Sequence, residues 1–218
     1  MLVHKFIYQA HTHIGLWQIA ETQAELRALY QPSAAETAEL RAYKLDTRQM
    51  EWLASRLVVR ALLPHADIVV SKDEYNKPFF SQEPNCTLSL SHGKGWAAAA
   101  INTDSKPVGI DIEVFSPKIM QIRLRFLTQN ELDYLAEAAA ENGMSLETMV
   151  NFAWCAKEAL YKMYGIKGLN FRQDMKIVAF YKQETTDFMY LNIELLQKTE
   201  VKVALLLYKN LPVAWCTP

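Results

Sequence analysis

The sequence predicts an α+β fold, and three observations carry that prediction. Stretches of alternating polarity, which read as strands, open and close the chain. Amphipathic stretches with helix-start and helix-stop residues lie between them. The strands come in groups joined by short turn signals, not one for one with helices as a parallel sheet requires. Half of the 218 residues are hydrophobic and 22% are charged, so one large or two small cores can be buried. A formal net charge of −1 provides no global basic field to draw nucleic acid. Three cysteines, Cys86, Cys155 and Cys216, show no paired spacing and read as free thiols in a reducing compartment. No leader pattern opens the chain and no apolar run is long enough to span a bilayer, so the expectation is a cytoplasmic protein.

Taken in order, "LVHKFIYQA" and "IGLWQIA" read as strands around a turn at "HTH". A helix follows through "TQAELRALY", and "SAAE" at Ser33–Glu36 is a capping box that opens another. "RQMEWLASRLVVRALL" is strongly helical. Met50, Leu53, Leu57 and Ala61 share one face, Arg48, Arg56 and Arg60 lie elsewhere, and Pro64 ends it. "ADIVVS", the short "PFF" after a turn, "NCTLSLS" and "WAAAAIN" read as strands, and "NTDSKP" reads as a hairpin turn into "VGIDIEVF". In the second half, "TQNE" at Thr128 is a further capping box whose helix should stop at Asn142-Gly143. The longest helix should run from about Leu146 to Tyr164 and stop at Gly165. Four strands follow: "MKIVAFY", "FMYLNIELL", "VKVALLLY" and "VAWC". Both halves mix helices and strands, as an old duplication would, without visible self-similarity.

Four constellations could carry chemistry. In "VGIDIEVF", pleating puts Val108, Ile110, Ile112 and Val114 on one face and Gly109, Asp111 and Glu113 on the other. Carboxylates two residues apart sit roughly 6–7 Å apart by backbone rise. Their repulsion is relieved by a cation, and hard oxygens suit Mg²⁺. Alone, the strand reads first as a solvated edge. In "FAWCAKEALYKMYG", Trp154, Glu158 and Lys162 form one helical stripe. It is either a surface ion pair beside a packed Trp, or a third carboxylate with a lysine for phosphate charge. In "SLSHGKGW", Ser91 and His92 end a strand at a glycine turn and could meet phosphate oxygens; as strand neighbours they face opposite ways, which does not suit a Ser-His hydrolase. Arg41, Lys44, Arg48, Arg56, Arg60 and Lys77 form a basic set suited to phosphates, though singly each reads as surface charge. His4, His11 and His13 lack an acid or Cys at ligand spacing, so no metal role is expected there.

In chain order these are an "NKP" turn, a strand ending "SHG", a strand "GIDIE", and a helix "WCAKEALYK" followed by "GIKGL". Together, over about Arg41 to Leu169, they resemble the 4′-phosphopantetheinyl transferases of the larger monomeric, surfactin-synthetase-activating type. The resemblance implies a pseudo-dimer of two α+β halves, 1–105 and 106–218, meeting near Asn102–Pro107, with the active site in the cleft between them. It implies coenzyme A as co-substrate and Mg²⁺ held by Asp111, Glu113 and Glu158. Lys157 and Lys162 take the positions of the family's motif lysines, and Trp154 that of its tryptophan. Ser91 and His92 would contact coenzyme A phosphates, and Lys77 and Arg56 its 3′-phosphate and adenine side. Two positions depart from the family's pattern: Asn76 stands where glycine is common, and Ser89 where asparagine is usual.

The implied reaction moves the phosphopantetheine arm of coenzyme A to a serine of an apo carrier protein. Glu158 would be the base, or a water on Asp111 in its place, and Lys162 would offset charge at the scissile linkage. The carrier would dock on Lys118–Leu127, where Lys118, Arg123 and Arg125 alternate with Ile119, Met120, Ile122 and Leu124, and on the "GIKGL" loop; a plain amphipathic helix explains that first stretch equally well. A coenzyme A-binding module without transfer and a Mg²⁺-dependent pyrophosphate hydrolase are the competing readings. Neither nucleic acid nor membrane is an expected partner, and two internal halves would make a monomer sufficient.

Overall fold

In the computed structural model, which describes residues 1–64 and 68–218, the chain opens on a hairpin of β1 (Leu2–Tyr8) and β2 (Thr12–Gln18). The turn is Gln9–His11, earlier than "HTH", because Gln9 and Ala10 adopt φ of 49° and 62°. Such left-handed backbone matches strand twist but is not signalled by Gln or Ala. Two helices follow, α1 (Gln23–Tyr30) and α2 (Ala34–Ala42), each opened by a capping box: Thr22 with Glu25, and Ser33 with Glu36.

The long α3 (Asp46–Leu62) is buried on nearly every side from Glu51 to Val59. It crosses β2, β5 (Thr87–Gly93) and β6 (Trp96–Asn102). The sheet runs β1-β2-β6-β5, all antiparallel. Gly15 lets β2 approach the helix: a Cβ there would stand 2.7 Å from Val58 Cγ1. Trp17, Leu26, Leu53, Val58, Ala99 and Ile101 belong to the resulting core. A separate two-stranded hairpin joins β3 (Val70–Lys72) to β4 (Pro78–Phe80). Of the strand expected over "ADIVVS", Ala66 and Asp67 lie outside the described residues, and pairing starts only at Val70.

"NTDSKP" is not a hairpin turn. It leaves the first sheet at β6 and enters the second at β7 (Gly109–Ile112). Its backbone is held to the first unit: Asn102 Oδ1 accepts from the Asp104 and Lys106 amides, and the Thr103 and Ser105 amides donate to His11 O and Asn85 O. The chain divides at this segment into two units, Met1–Lys106 and Pro107–Pro218.

The second unit continues with α4 (Pro117–Ile122), a short 3₁₀ turn (Arg123–Arg125), α5 (Gln129–Glu141) and α6 (Leu146–Tyr164). The Thr128–Glu131 capping box opens α5, and Gly143 follows its C-cap at φ 64°. Gly165, at φ 66°, closes α6 with its N–H on Tyr161 O. Four strands end the chain: β8 (Met175–Lys182), β9 (Met189–Leu195), β10 (Thr199–Tyr208) and β11 (Leu211–Cys216). The antiparallel sheet runs β7-β11-β10-β9-β8. Helix α6 lies across β7, β11, β10 and β9. Val150, Phe152, Ala156, Leu160, Ile193 and Leu205 are among the fully buried residues of this core. Among the described residues no helix is long and apolar enough to cross a membrane.

Candidate active site

The acidic side of β7 lies against α6, not against solvent. A Cβ on Gly109 would stand 1.9 Å from Ala159 O, so only glycine allows this strand to touch the helix backbone. Asp111, two residues on, shares that side and is 7% exposed. Its Oδ1 accepts from Lys162 Nζ at 2.7 Å, and Lys162 also donates to Ile110 O at 3.1 Å. The Glu158–Lys162 pair that helical spacing offers does not form, because Lys162 turns to the strand instead.

Glu158 lies one turn before Lys162 on α6 and feels both strand acids. Burial first, then the charge of Asp111, push its carboxyl up to about 7; Lys162 opposes the shift and Glu113 adds to it. Burial, Asp111 and Glu113 likewise raise the thiol of Cys155, which is enclosed in the same unit. The structure thus concentrates negative charge where β7 meets α6, with one lysine partly offsetting it. Among the described residues no three His, Cys, Asp or Glu side chains form a ready metal cage. Mg²⁺ does not need one, because it commonly takes one or two carboxylates and fills its shell with water and phosphate oxygens. A carboxylate pushed toward neutrality by burial and by two other acids fits a cation site.

Lys157, adjacent to Glu158, points the other way and is fully buried. Its Nζ donates to Phe126 O at 2.8 Å, Phe171 O at 2.9 Å and Glu131 Oε1 at 2.8 Å. Glu131 Oε1 also accepts from the Ile177 amide, and Oε2 from the Thr128 amide and hydroxyl. This buried, fully bonded pair ties α5, α6 and the segments around Phe126 and Phe171 together. Trp154 seals the same region, packing edge-on to Phe126 at 4.9 Å and tilted to Phe171 at 5.8 Å. Of the motif residues on α6, Trp154 and Lys157 build the frame, whereas Glu158 and Lys162 face the strand acids.

In the first unit, β5 extends through Gly93, so Ser91 and His92 lie in the strand and the turn is Lys94-Gly95. Alternation places Ser91, 5% exposed, on the face opposite His92. Ser89, in the place of the family's usual asparagine, shares the Ser91 face and is buried. His92 Nδ1 stands 3.1 Å from Glu51 Oε2. Lys77 follows Asn76, whose φ of 63° supplies the left-handed turn that glycine would otherwise provide. Asp73 Oδ1 accepts from the Tyr75 and Lys77 amides and holds that turn. Arg56 is 4% exposed and lies over the Trp52 ring, 4.0 Å from its centroid. Its Nη1 donates to Ser55 Oγ, while Nε and Nη2 have no hydrogen-bond partner among the described residues. Arg60 lies over the Tyr30 ring at 3.9 Å and donates to Tyr30 O. Arg41 and Lys44 are exposed.

Sequence reasoning missed Glu51 and Glu131. An acid inside the apolar run of α3 was the available signal for Glu51. Glu131 was already accounted for as a capping residue, which masked its second role under Lys157.

Residues 107–216, half of the chain, match the model of the 4′-phosphopantetheinyl transferase superfamily. The chain is 35% identical over 113 residues to the 4′-phosphopantetheinyl transferase ffp of Bacillus subtilis, covering 51% of this chain and 47% of that protein. It is 34% identical over 113 residues to the 4′-phosphopantetheinyl transferase Sfp of Bacillus subtilis strain 168, with the same coverage of 51% and 47%. It is 32% identical over 120 residues to the 4′-phosphopantetheinyl transferase gsp of Aneurinibacillus migulanus, covering 55% and 47%. The match thus spans about half the length of these relatives. With the "GIDIE" strand and the "WCAKEALYK" helix brought face to face inside the matched region, the chain belongs to the 4′-phosphopantetheinyl transferase superfamily.

Proposed function

We propose that this protein transfers the phosphopantetheine arm of coenzyme A to a serine hydroxyl of an apo carrier protein, releasing adenosine 3′,5′-bisphosphate. The observation that carries the reading is the meeting of Asp111 and Lys162, 2.7 Å apart, beside a Glu158 whose carboxyl is pushed up to about 7. Glu158 takes the serine proton as the serine oxygen bonds to the pantetheine-side phosphorus. The bond from that phosphorus to the bridging oxygen breaks, and the pair leaves with the bisphosphate. Lys162 supplies positive charge close to the phosphates, and Asp111 holds its ammonium in place. Asp111, Glu113 and Glu158 would hold Mg²⁺, which when bound neutralises charge on the pyrophosphate oxygens.

Ser91, His92, Lys77 and Arg56 are the proposed contacts to coenzyme A, with Lys77 and Arg56 toward its non-reacting end. For the carrier, we assign the surface after the metal strand. Ile119 is buried and Met120 and Ile122 pack on the core, which leaves Lys118, Leu124 and Arg125 exposed. Ile166 and Lys167 of the "GIKGL" loop are exposed as well. Apolar side chains among cations suit an acidic partner held briefly.

The test is to incubate the protein with coenzyme A, Mg²⁺ and an apo carrier domain, then weigh the carrier. A gain of one phosphopantetheine arm is expected. Release of pantetheine phosphate without a modified carrier would mean hydrolysis, and binding without product would mean a coenzyme A module.

A further inference from the structure

Glu51 is an acid inside the most buried stretch of α3, 7% exposed. Its Oε2 receives two polar hydrogens, one from Arg48 Nη1 at 3.3 Å and one from His92 Nδ1 at 3.1 Å. Arg48 Nη1 also lies 3.4 Å from His92 Nδ1. A carboxylate only accepts and a guanidinium only donates. Nδ1 therefore carries its proton toward Glu51, and Arg48 bonds to the carboxylate, not to the ring. The strand sets up this meeting. His92 pairs with Ala97 in the sheet and rises on the face of Leu88 and Leu90, which pack with α3.

We propose that Glu51 is a positioning residue for His92, with Arg48 fixing the Glu51 carboxylate. It sets the ring plane and keeps Nδ1 protonated as His92 meets a coenzyme A phosphate. The inference rests on the coenzyme A reading above. Nδ1–H is committed to Glu51. Nε2 can then donate to a phosphate oxygen only as imidazolium, between the carboxylate on one side and the phosphate on the other. Arg48 pairs with the same Glu51 oxygen that meets the ring, which steadies the carboxylate under His92. A plain pin between α3 and β5 would use the same bonds without any bearing on ligand.

The experiment compares wild type, Glu51→Leu, Glu51→Gln, His92→Ala and the Glu51→Leu/His92→Ala double variant. It measures coenzyme A binding by calorimetry and carrier modification at varied coenzyme A. Glu51→Leu should raise Kd and KM for coenzyme A about tenfold or more, with kcat within about twofold. Glu51→Gln, which keeps an acceptor for Nδ1–H, should recover part of the loss. The double variant should bind no worse than His92→Ala, as residues acting in series do. The His92 ring ¹⁵N signals should show a protonated Nδ1 in wild type and a tautomer mixture in Glu51→Leu. A lower unfolding midpoint with Kd and KM unchanged, or full additivity with His92→Ala, overturns the proposal. If the wild type neither binds coenzyme A nor modifies the carrier, the coenzyme A reading fails instead. The ring signal then decides alone, and an Nε2–H tautomer in wild type overturns the pairing.

Discussion

Lys162 Nζ and Asp111 Oδ1 stand 2.7 Å apart although 51 residues separate them in the chain. The contact joins the C-terminal end of α6 to the edge strand β7 and fixes the lysine against the acid. It also puts the helix's Glu158 within the field of the strand acids, where its carboxyl is pushed up to about 7.

Glu158 is costly to the metal-free fold. Its carboxyl moves from 4.5 to about 7, so below about 4.5 it is protonated in both states and carries no penalty. Between those values the folded state binds more protons than the unfolded chain, so stability falls as pH rises toward 7. Above 7 the full penalty applies. Metal-free Glu158→Gln should be more stable than wild type at pH 8 by roughly 1–3 kcal/mol, with the advantage shrinking toward pH 5. Urea unfolding at the two pH values in chelator reads this directly. The same variant should lose most carrier modification, about a hundredfold or more. Retained activity would remove Glu158 as the base.

Asp111→Ala should abolish transfer and leave the fold intact, since the proposal puts Asp111 at the metal and outside the hydrophobic core. Chelating divalent metal should abolish transfer by the wild type. Carrier mass after incubation with and without Mg²⁺ measures both. Full activity of Asp111→Ala with Mg²⁺ would dismiss the acidic strand as the site.

Gly109 and Gly93 separate close approach from mere flexibility. Gly109→Ala forces a Cβ to within 1.9 Å of the Ala159 carbonyl and must part β7 from α6. We expect a loss on the order of 3 kcal/mol or failure to fold, beyond ordinary overpacking because backbone cannot yield. Gly93→Ala meets nothing within 4 Å, and its stability should change by no more than about 0.5 kcal/mol. Chemical denaturation of both variants is the measurement.

Lys157→Ala should destabilise by about 3–5 kcal/mol, because it leaves Glu131 buried without its cation. The Phe126 and Phe171 carbonyls lose their donor as well. Urea midpoints would show it. A folded, fully stable Lys157→Ala enzyme with lost activity would instead assign this lysine to the chemistry.

Lys77→Ala should raise the KM for coenzyme A about tenfold while kcat changes little, because the proposed contact lies at a non-reacting end. Steady-state rates at varied coenzyme A decide it. A pure kcat defect would place Lys77 elsewhere.

Much of the local structure was legible because its causes are local. The Ser33–Glu36 and Thr128–Glu131 capping boxes open helices at the expected residues, and α6 spans Leu146–Tyr164 with Gly165 at its stop. The hairpin corners were less legible. Gln9–Ala10, Leu196–Gln197 and Lys209–Asn210 all adopt positive φ, yet only Asn210 belongs to a residue type that favours it. "NTDSKP" carried turn residues, but whether a turn returns to the same sheet or crosses to another depends on where later strands pair.

By itself the sequence determined the α+β class, the two faces of "VGIDIEVF" and the helical stripe of Glu158 and Lys162, because pleat and helix periodicity act over a few residues. Tertiary structure alone decided which lysine of α6 meets an acid of the proposed site and which is sealed in the frame. Lys157 and Lys162 look alike in sequence, but the first turns inward to Glu131 and the second to Asp111. It also decided that the acidic face of β7 lies under α6, through a residue without a side chain, Gly109. Such pairings join residues far apart in the chain, and only packing can select them.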